Sequence, residues 1–204
     1  MKHFAHTVLV LSVFFFSCGQ TNVPDQPQGS VKKDPAELSS TIKLVADSEP
    51  GQRMIIAGTI YLPGGKIPAK DAILSVWQTD AKGFYIAGGG GAGELHPRIH
   101  GRIRTGIDGK YELHSIKPGQ YPSHTSPAHL HAHISAPGFP EYALIYYFEG
   151  DDLITGKNRA ELNDHRGGTP SIITLRDSNG VLVGHRDIIL EYVKPSGETM
   201  KLQW

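Results

Sequence analysis

Three histidines stand at alternate positions of the stretch "PAHLHAHIS": His129, His131 and His133. In a β-strand successive side chains point to opposite faces, so residues at i, i+2 and i+4 share one face. Such a row of imidazoles is either a polar strand edge or a place where histidine side chains bind a metal ion. Two histidines on one strand rarely complete a metal shell, so further ligands are expected from other segments.

Two tyrosines lie close to turn signals on either side of the predicted strands. Tyr85 follows Gly83 after the strand-like "VWQTD", and Tyr121 lies in a Pro-Gly turn just before the histidines. A phenol has a pKa of about 10, so it ionises only beside strong positive charge. Fe(III) supplies such charge, and phenolate is a hard oxygen donor that suits it. For either tyrosine taken alone, a core or rim aromatic is the favoured interpretation.

The first 18 residues are predicted to be a signal peptide. The apolar run "TVLVLSVFFFSC" is too short to span a bilayer as a stable helix, and it ends at Cys18, the only cysteine of the chain. A lone cysteine in an exported protein invites oxidation or intermolecular pairing, which lipid modification would prevent. The segment resembles a bacterial lipoprotein signal, and an ordinary cleaved secretory signal is the alternative. We therefore expect a protein of the periplasm or cell envelope, anchored through Cys18.

The rest of the chain divides into a tether and one domain. Residues 19–40 are polar and aperiodic, which predicts a flexible tether. Residues 41–204 are long enough for one domain with a sizeable core. The formal net charge is zero and no basic stripe is present, so nucleic acid is not an expected partner.

Short strand-like runs alternate with turn signals from about Ile42 onwards, and no long amphipathic helix interrupts them. This pattern predicts an all-β fold, an antiparallel β-sandwich with long loops. The stretch "GRIRTGIDGKYELHSI" predicts a hairpin around Asp108-Gly109. The glycine-rich "AGGGGAGEL" that follows Tyr85 is expected to be a loop at the mouth of a site.

Several segments between about Gly51 and Asp152 resemble the intradiol ring-cleavage dioxygenases, the family of catechol 1,2-dioxygenase and protocatechuate 3,4-dioxygenase. They occur in the family's order and at similar spacing, and the later "HRDIILEY" resembles the family's last core strand. The matching segments are "GTIYLPGGKIPAKDAILSVWQTDAKGFY", "TGIDGKYELHSIKPGQYP", "PAHLHAHISAPG" and "YYFEGDD".

The resemblance implies a prealbumin-like β-sandwich that holds one mononuclear non-haem Fe(III) per chain. Tyr85, in "GFY", stands at the family's first tyrosinate ligand, and Tyr121, in "GQYP", stands at the second. His129 and His131, in "PAHLH", stand at the two histidine ligands. His133 matches no ligand position of the family.

The resemblance also implies an oxidoreductase of aromatic compound catabolism, with a small aromatic diol and O2 as substrates. A catechol binds the iron through both oxygens, and its protons go to hydroxide and to one tyrosinate. By analogy that tyrosinate is Tyr121, which is therefore the expected catalytic residue. The ring opens between the two hydroxyl-bearing carbons, and both atoms of O2 enter the product.

Two positions depart from the family pattern. The family commonly has arginine immediately before "PAHxH", where this chain has Ser126. It also commonly has glutamine in the strand before "FxGD", where this chain has Ile145 or a neighbour. An arginine from another strand could replace the lost charge, and the candidates are Arg98, Arg102 and Arg104.

Two other functions fit parts of the same pattern. The segments before the histidines also resemble prealbumin-like modules of secreted proteins, which bind without doing chemistry. A zinc or copper site could be built on His129, His131 and His133 without any tyrosine. Iron content separates both alternatives from the dioxygenase hypothesis.

Overall fold

The computed structural model describes residues 38–86 and 97–191. All of them belong to one compact unit, Lys33–Trp204. The predicted signal peptide with Cys18, the tether up to residue 37 and the glycine-rich "AGGGGAGEL" lie outside the described residues. No helix in the described ranges has the length and apolarity needed to cross a membrane.

Strands make up nearly all of the regular structure in the described part of the chain, which confirms the all-β prediction. The one helix, α1 (Arg159–Leu162), is a single turn. The strands are β1 (Thr41–Lys43), β2 (Arg53–Tyr61), β3 (Ile73–Gln78), β4 (Ile99–Arg104), β5 (Lys110–Ile116), β6 (His129–Ala136), β7 (Phe139–Phe148), β8 (Ile172–Ile173), β9 (Arg176–Ser178), β10 (Val181–His185) and β11 (Ile188–Ile189).

The strands form two sheets. One has the order β1-β5-β2-β10-β9, with β11 also paired to β2, and the other has the order β4-β3-β6-β7-β8. The central pairs β2–β5, β3–β4, β3–β6 and β6–β7 are antiparallel, as the sandwich prediction requires. Both sheets are nevertheless mixed, because short strands from near the two ends of the described chain add in parallel, as β1 does on β5 and β8 on β7.

The core lies between the two sheets and follows from the alternation of apolar residues along each strand. Met54 and Ile56 of β2 and Leu74 and Val76 of β3 are completely or almost completely buried in it. Alternate residues of β3 therefore point to the other face of their sheet, as the sequence predicts for Trp77 and its neighbours. That outer face is left available for a function.

The predicted hairpin around Asp108-Gly109 is wrong. The turn forms, with the Gly109 N–H donating to the Gly106 carbonyl at 3.1 Å, but β4 pairs with β3 whereas β5 pairs with β2 and β1. The chain crosses from one sheet to the other at this turn. Gly109 packs so tightly there that an added Cβ would lie 2.5 Å from the Ile60 carbonyl oxygen of β2.

The strand directions give the sandwich two distinct ends. At the histidine end, β3 and β5 finish and β6 begins with His129. At the isoleucine end, β2 and β4 finish and β3 and β5 begin. The two loops that connect the sheets at the isoleucine end carry Ile67 and Ile107.

Candidate metal centre

Four side chains from three segments meet at the histidine end. The Tyr85 hydroxyl lies 2.7 Å from the Tyr121 hydroxyl, which in turn lies 3.0 Å from Nε2 of His129. Nε2 of His129 lies 3.1 Å from Nε2 of His131. The structure thus brings together all four residues that the family resemblance marks as metal ligands.

Strand β6 supplies both histidines because its pleat alternates between the core and the outer face. Leu130 and Ala132 point into the core, so His129 and His131 share the outer face. His131 lies opposite Trp77 of β3 and Ile145 of β7, which flank it within the sheet. Both histidines are buried, which shields their ring nitrogens from water.

The tautomer of His129 is fixed by its own backbone. Its Nδ1 lies 2.6 Å from the Pro127 carbonyl oxygen, and a carbonyl can only accept, so Nδ1 carries the proton. Nε2 therefore presents a lone pair towards Tyr121 and His131. A hydrogen bond from the remote nitrogen of a metal-binding histidine commonly orients the ring in this way.

His131 is held by stacking and by burial. The Trp77 indole lies parallel to the imidazole, with 5.0 Å between ring centroids and 6° between the planes. Burial, with a smaller effect of the neighbouring His129, lowers the pKa of His131 to about 3. The imidazole is therefore neutral near pH 7, which is the form that binds a metal ion.

The loop that carries Tyr85 is shaped by Asp80. Its Oδ1 accepts hydrogen bonds from the backbone N–H groups of Lys82 and Phe84, at 2.9 and 3.0 Å. The Asp80 carbonyl oxygen accepts a third bond from the N–H of Gly119, at 2.9 Å. Because Gly119 belongs to the loop of Tyr121, one aspartate orders the Tyr85 turn and joins it to the second tyrosine loop.

Two glycines let these loops approach backbone to backbone. Gly83 has a φ of +86°, and an added Cβ would lie 1.8 Å from the Gln120 carbonyl oxygen. A Cβ at Gly119 would lie 2.6 Å from the Ala81 carbonyl oxygen. A larger residue at either position would push the two loops apart and separate Tyr85 from Tyr121.

Asp151 ties the second tyrosine loop to the histidine strand. One carboxylate oxygen accepts from the Ala128 backbone N–H at 2.9 Å, and the other accepts from the Gln120 side-chain amide at 2.8 Å. Ala128 immediately precedes His129, and Gln120 immediately precedes Tyr121. The carboxylate therefore fixes the spacing between the segments that carry these two residues.

Sequence reasoning gave no role to the residues that support the centre. Trp77 and Asp151 lie in "VWQTD" and "YYFEGDD", segments that matched the family as a whole. The only local signal is an aspartate within three residues of the end of a strand, at Asp80 and again at Asp151. Such a carboxylate is well placed to accept hydrogen bonds from nearby backbone N–H groups in a turn.

His133 stands apart from the four donors although it shares the strand and face of His129 and His131. It lies opposite Ser75 and Ala143, one row further from the histidine end than His131. Its Nδ1 lies 4.0 Å from a carboxylate oxygen of Glu141. Within residues 38–86 and 97–191, no three histidines, cysteines or acidic residues are grouped to hold a metal ion.

Ile145, one of the residues expected at or near the family's glutamine position, lies opposite His131 in the adjoining strand. The ring of Tyr147, two residues along, lies 5.9 Å from that of His129. Burial, with nearby acidic groups and Tyr121 adding to it, raises the pKa of Tyr147, which keeps the phenol neutral. The described wall beside the two histidines is thus aromatic and apolar.

Of the three arginines considered for the missing charge, two are engaged elsewhere. Arg98 makes two hydrogen bonds of 2.7 Å to the Glu49 carboxylate, and Arg104 pairs with Asp71 at the isoleucine end, at 2.9 Å. Arg102 shares the outer face and lies opposite Ser75, in the row of His133 and one row from His131. Ser126 itself is half-buried in the loop before β6.

The fold and this donor set define a class: a β-sandwich whose outer sheet face gathers two phenols and two imidazoles. A family model described as "Dioxygenase" (Dioxygenase_C) matches residues 29–165. The chain belongs to the intradiol ring-cleavage dioxygenase family.

Individual relatives agree with this family. The protocatechuate 3,4-dioxygenase beta chain of Burkholderia cepacia is 31% identical over 136 residues, which is 62% of this chain and 57% of the relative. Catechol 1,2-dioxygenase 1 of Acinetobacter lwoffii is 29% identical over 131 residues, which is 56% of this chain and 42% of the relative. The chain therefore spans about half the length of these curated relatives.

Solved structures share the fold. The dioxygenase domain of a dioxygenase carbohydrate-binding protein fusion from Streptomyces sp. SirexAA-E superposes with a TM-score of 0.58 at 26% identity, covering 83% of this chain and 98% of that domain. Catechol 1,2-dioxygenase of Acinetobacter radioresistens gives a TM-score of 0.59 at 17% identity, covering 80% of this chain and 61% of its own. The second likeness shows a common fold.

Proposed function

We propose that this chain is a non-haem Fe(III)-dependent oxidoreductase that opens a catechol-type ring between its two hydroxyl-bearing carbons and incorporates both atoms of O2. The observation that carries the proposal is the contact chain from Tyr85 through Tyr121 and His129 to His131. Membership of the intradiol family supports the same reaction.

The four donors fit one ferric ion. Bonds of about 2 Å to a common ion place neighbouring ligand atoms roughly 3 Å apart. The three successive separations observed, 2.7, 3.0 and 3.1 Å, are of that size. Two phenolates are hard anionic donors for a trivalent cation, and two neutral imidazoles complete the set. Tyr85, Tyr121, His129 and His131 would therefore hold the iron, which supplies a Lewis acid that draws electron density from the bound diol.

Tyr121 is the residue placed to move a proton. Its hydroxyl oxygen stands in the middle of the donor chain, within hydrogen-bond distance of both the Tyr85 hydroxyl and Nε2 of His129. As a phenolate it is a base that can take a proton from a substrate hydroxyl and keep it on Oη. The Asp80 and Asp151 hydrogen bonds hold its loop while it does so.

The described pocket wall favours a diol with an apolar ring. Trp77, Ile145 and Tyr147 adjoin the two histidines, and the guanidinium of Arg98 is turned to Glu49. An aromatic ring packs well against such a wall, whereas a substrate carboxylate would find no arginine there in place of Ser126. We therefore propose that plain or electron-rich catechols are better substrates than carboxylated ones.

The test uses the full chain loaded with iron and supplied with catechol and isotopically labelled O2. Mass spectrometry of the ring-opened dicarboxylic acid should show two labelled oxygens. Under the same conditions His133→Ala should keep the reaction and His129→Ala should lose it. An iron-loaded, folded chain that consumes no O2 with any catechol would contradict the proposal, as would a product with a single labelled oxygen.

We infer separately that the protein is exported and anchored by lipid on Cys18, because the apolar run ends at that lone cysteine and a polar tether follows. Cys18→Ala should then release the protein from the membrane fraction. A wild-type chain that is already soluble after export, with an unmodified terminus, would contradict the anchor.

A further inference from the structure

The isoleucine end presents two large apolar side chains to solvent. Ile107 is 85% exposed and Ile67 is 63% exposed. Among the described residues the third exposed large apolar side chain, Val183, is 38% exposed and lies in the middle of β10. Leaving both isoleucines in water is unfavourable, which points to a surface that is covered in use.

The two isoleucines sit on ordered, neighbouring loops. The Leu62 N–H donates to the Ile67 carbonyl at 2.8 Å, which closes the first loop. In the second loop, a Cβ added at Gly109 would lie 2.9 Å from Cβ of Pro68. The two loops are therefore in contact, and both isoleucines are carried at the same end of the sandwich.

This surface has an excess of positive charge. Asp71 is paired with Arg104 at 2.9 Å, and Oδ1 of Asp108 accepts a hydrogen bond from the Lys110 backbone at 3.2 Å. Around these two carboxylates three lysines are exposed, Lys66, Lys70 and Lys110, of which Lys70 lies 3.9 Å from Asp71. The end of the sandwich thus combines apolar tips with a lysine rim.

The chain enters the domain at the same end. The backbone N–H of Arg104 donates to the Ser39 carbonyl at 3.0 Å, and that of Glu112 donates to the Ser40 carbonyl at 2.8 Å. Ser39 and Ser40, at the start of the described range 38–86, therefore lie at the isoleucine end.

We propose that the isoleucine end docks onto an anionic phospholipid bilayer. Ile67 and Ile107 enter the interface, and the lysine rim contacts anionic headgroups, the combination by which surface-bound proteins hold membranes. A symmetric pair of these surfaces would bring lysines against lysines, which disfavours a second copy as the occupant. The metal centre, at the far end of the strands, then faces away from the bilayer and stays open to substrate.

The test places a reporter on the surface without altering the isoleucines. Gly106→Cys is made in the full chain together with Cys18→Ser, so that the chain carries a single cysteine for labelling. A Cβ added at Gly106 meets only Oδ1 of Asp108, at 3.6 Å, so the substitution should fit. The emission of an environment-sensitive fluorophore on this cysteine should shift to shorter wavelength when vesicles of phosphatidylglycerol and phosphatidylethanolamine are added. The same label on Lys82→Cys, at the histidine end, should not shift.

Variants identify what produces the shift. Ile67→Ser with Ile107→Ser should weaken the apparent vesicle affinity about tenfold or more, because apolar insertion is lost. Val183→Ser should leave it unchanged. Added salt or phosphatidylcholine vesicles should also weaken it, because headgroup attraction is screened or absent.

Four results would overturn the proposal. The first is that the fluorescence of the label on Gly106→Cys does not shift with vesicles. The second is that the labels on Gly106→Cys and Lys82→Cys shift equally. The third is a shift without vesicles that grows with protein concentration, which would identify a second copy as the occupant. The fourth is a label already shielded at all concentrations, which would identify a segment of the chain itself.

Discussion

The two ends of the sandwich are built from the same strands and are treated in opposite ways. At the histidine end, four polar side chains touch one another, from half-buried Tyr85 and Tyr121 to buried His129 and His131. At the isoleucine end, apolar side chains are exposed on ordered loops. Apolar side chains are usually buried and polar ones exposed, and each end departs from this distribution. Such departures are more informative about function than residues that follow it. In the account proposed above, β3 and β6 separate the metal centre from the surface that docks onto a bilayer.

A smaller version of the contrast lies within β6. His131 and His133 share a face and are two residues apart, yet only His131 reaches the tyrosine loops. Strand alternation gives both the same direction, and contact with the interlocked loops gives them different environments. The following predictions alter one end or one row of the sheet and leave the other as a control.

The largest effect is expected where the tyrosine loops interlock. Gly83→Ala should lower the free energy of unfolding by more than about 4 kcal/mol and abolish iron binding, because its Cβ would overlap the Gln120 carbonyl. Gly138→Ala is the matched control: its φ of +81° is similar to the +86° of Gly83, but an added Cβ meets nothing within 4 Å. It should cost only about 1–2 kcal/mol, the penalty of the left-handed backbone. If chemical denaturation shows equal losses of unfolding free energy in the two variants, the close contact of Gly83 with the Tyr121 loop is not what stabilises this region.

The next effect concerns the charge that Ser126 does not supply. Ser126→Arg should raise kcat on unsubstituted catechol, by up to ~10²–10³, with a smaller change in KM, because positive charge favours negative charge developing on the ring. Steady-state kinetics on iron-loaded protein measure both. A different outcome is that kcat is unchanged in Ser126→Arg, falls strongly in Arg102→Ala and does not fall in Arg98→Ala. That result would show that Arg102 already provides this charge.

Removing the clamp between loop and strand should have a moderate effect. Asp151→Asn should weaken iron affinity and kcat by about 10–100-fold, because one of the two oxygens that accept from the Ala128 backbone and the Gln120 amide is replaced by a donor. Asp152→Asn is the control, since Asp152 is exposed and contacts Gln120 without reaching Ala128. Iron titration of the apo-protein measures the affinity directly. A similar loss in both variants would mean that Asp151 has no special positioning role.

The smallest effect on the metal centre is expected from substitutions at the isoleucine end. Ile67→Ser with Ile107→Ser should change the free energy of unfolding by less than about 0.5 kcal/mol per site, because exposed side chains contribute little to folding. Iron binding should be unchanged. A large drop in the unfolding midpoint would show that these side chains belong to the folded core and would remove the contrast between the two ends.

Much of the fold could be predicted from local patterns. The alternation in β2 and β3 separates core residues from surface residues, and the strand considered for "PAHLHAHIS" forms as β6. Pairing partners could not be predicted this way. The turn at Asp108-Gly109 favours a hairpin locally, but close packing of Gly109 against β2 sends the two strands into different sheets.

The candidate site could be predicted in part, and by resemblance more than by pattern. The four donors belong to motifs that this chain shares with its family, and the structure brings them together. The supporting contacts of Trp77, Asp80 and Asp151 depend on distances between segments far apart in sequence, which spacing does not reveal. Ile67 and Ile107 carry no motif, and only their exposure in the folded chain distinguishes them from core residues.

Metal analysis combined with visible absorption tests the central claim most directly. The iron-loaded full chain should hold one iron per chain and absorb visible light, because phenolate-to-Fe(III) charge transfer requires a tyrosinate bound to the ion. His129→Ala and Tyr121→Phe should lose or shift that absorption, and His133→Ala should keep both the iron and the colour. A colourless protein that holds zinc, or one that loses its metal in His133→Ala but keeps it in His129→Ala, would contradict the account.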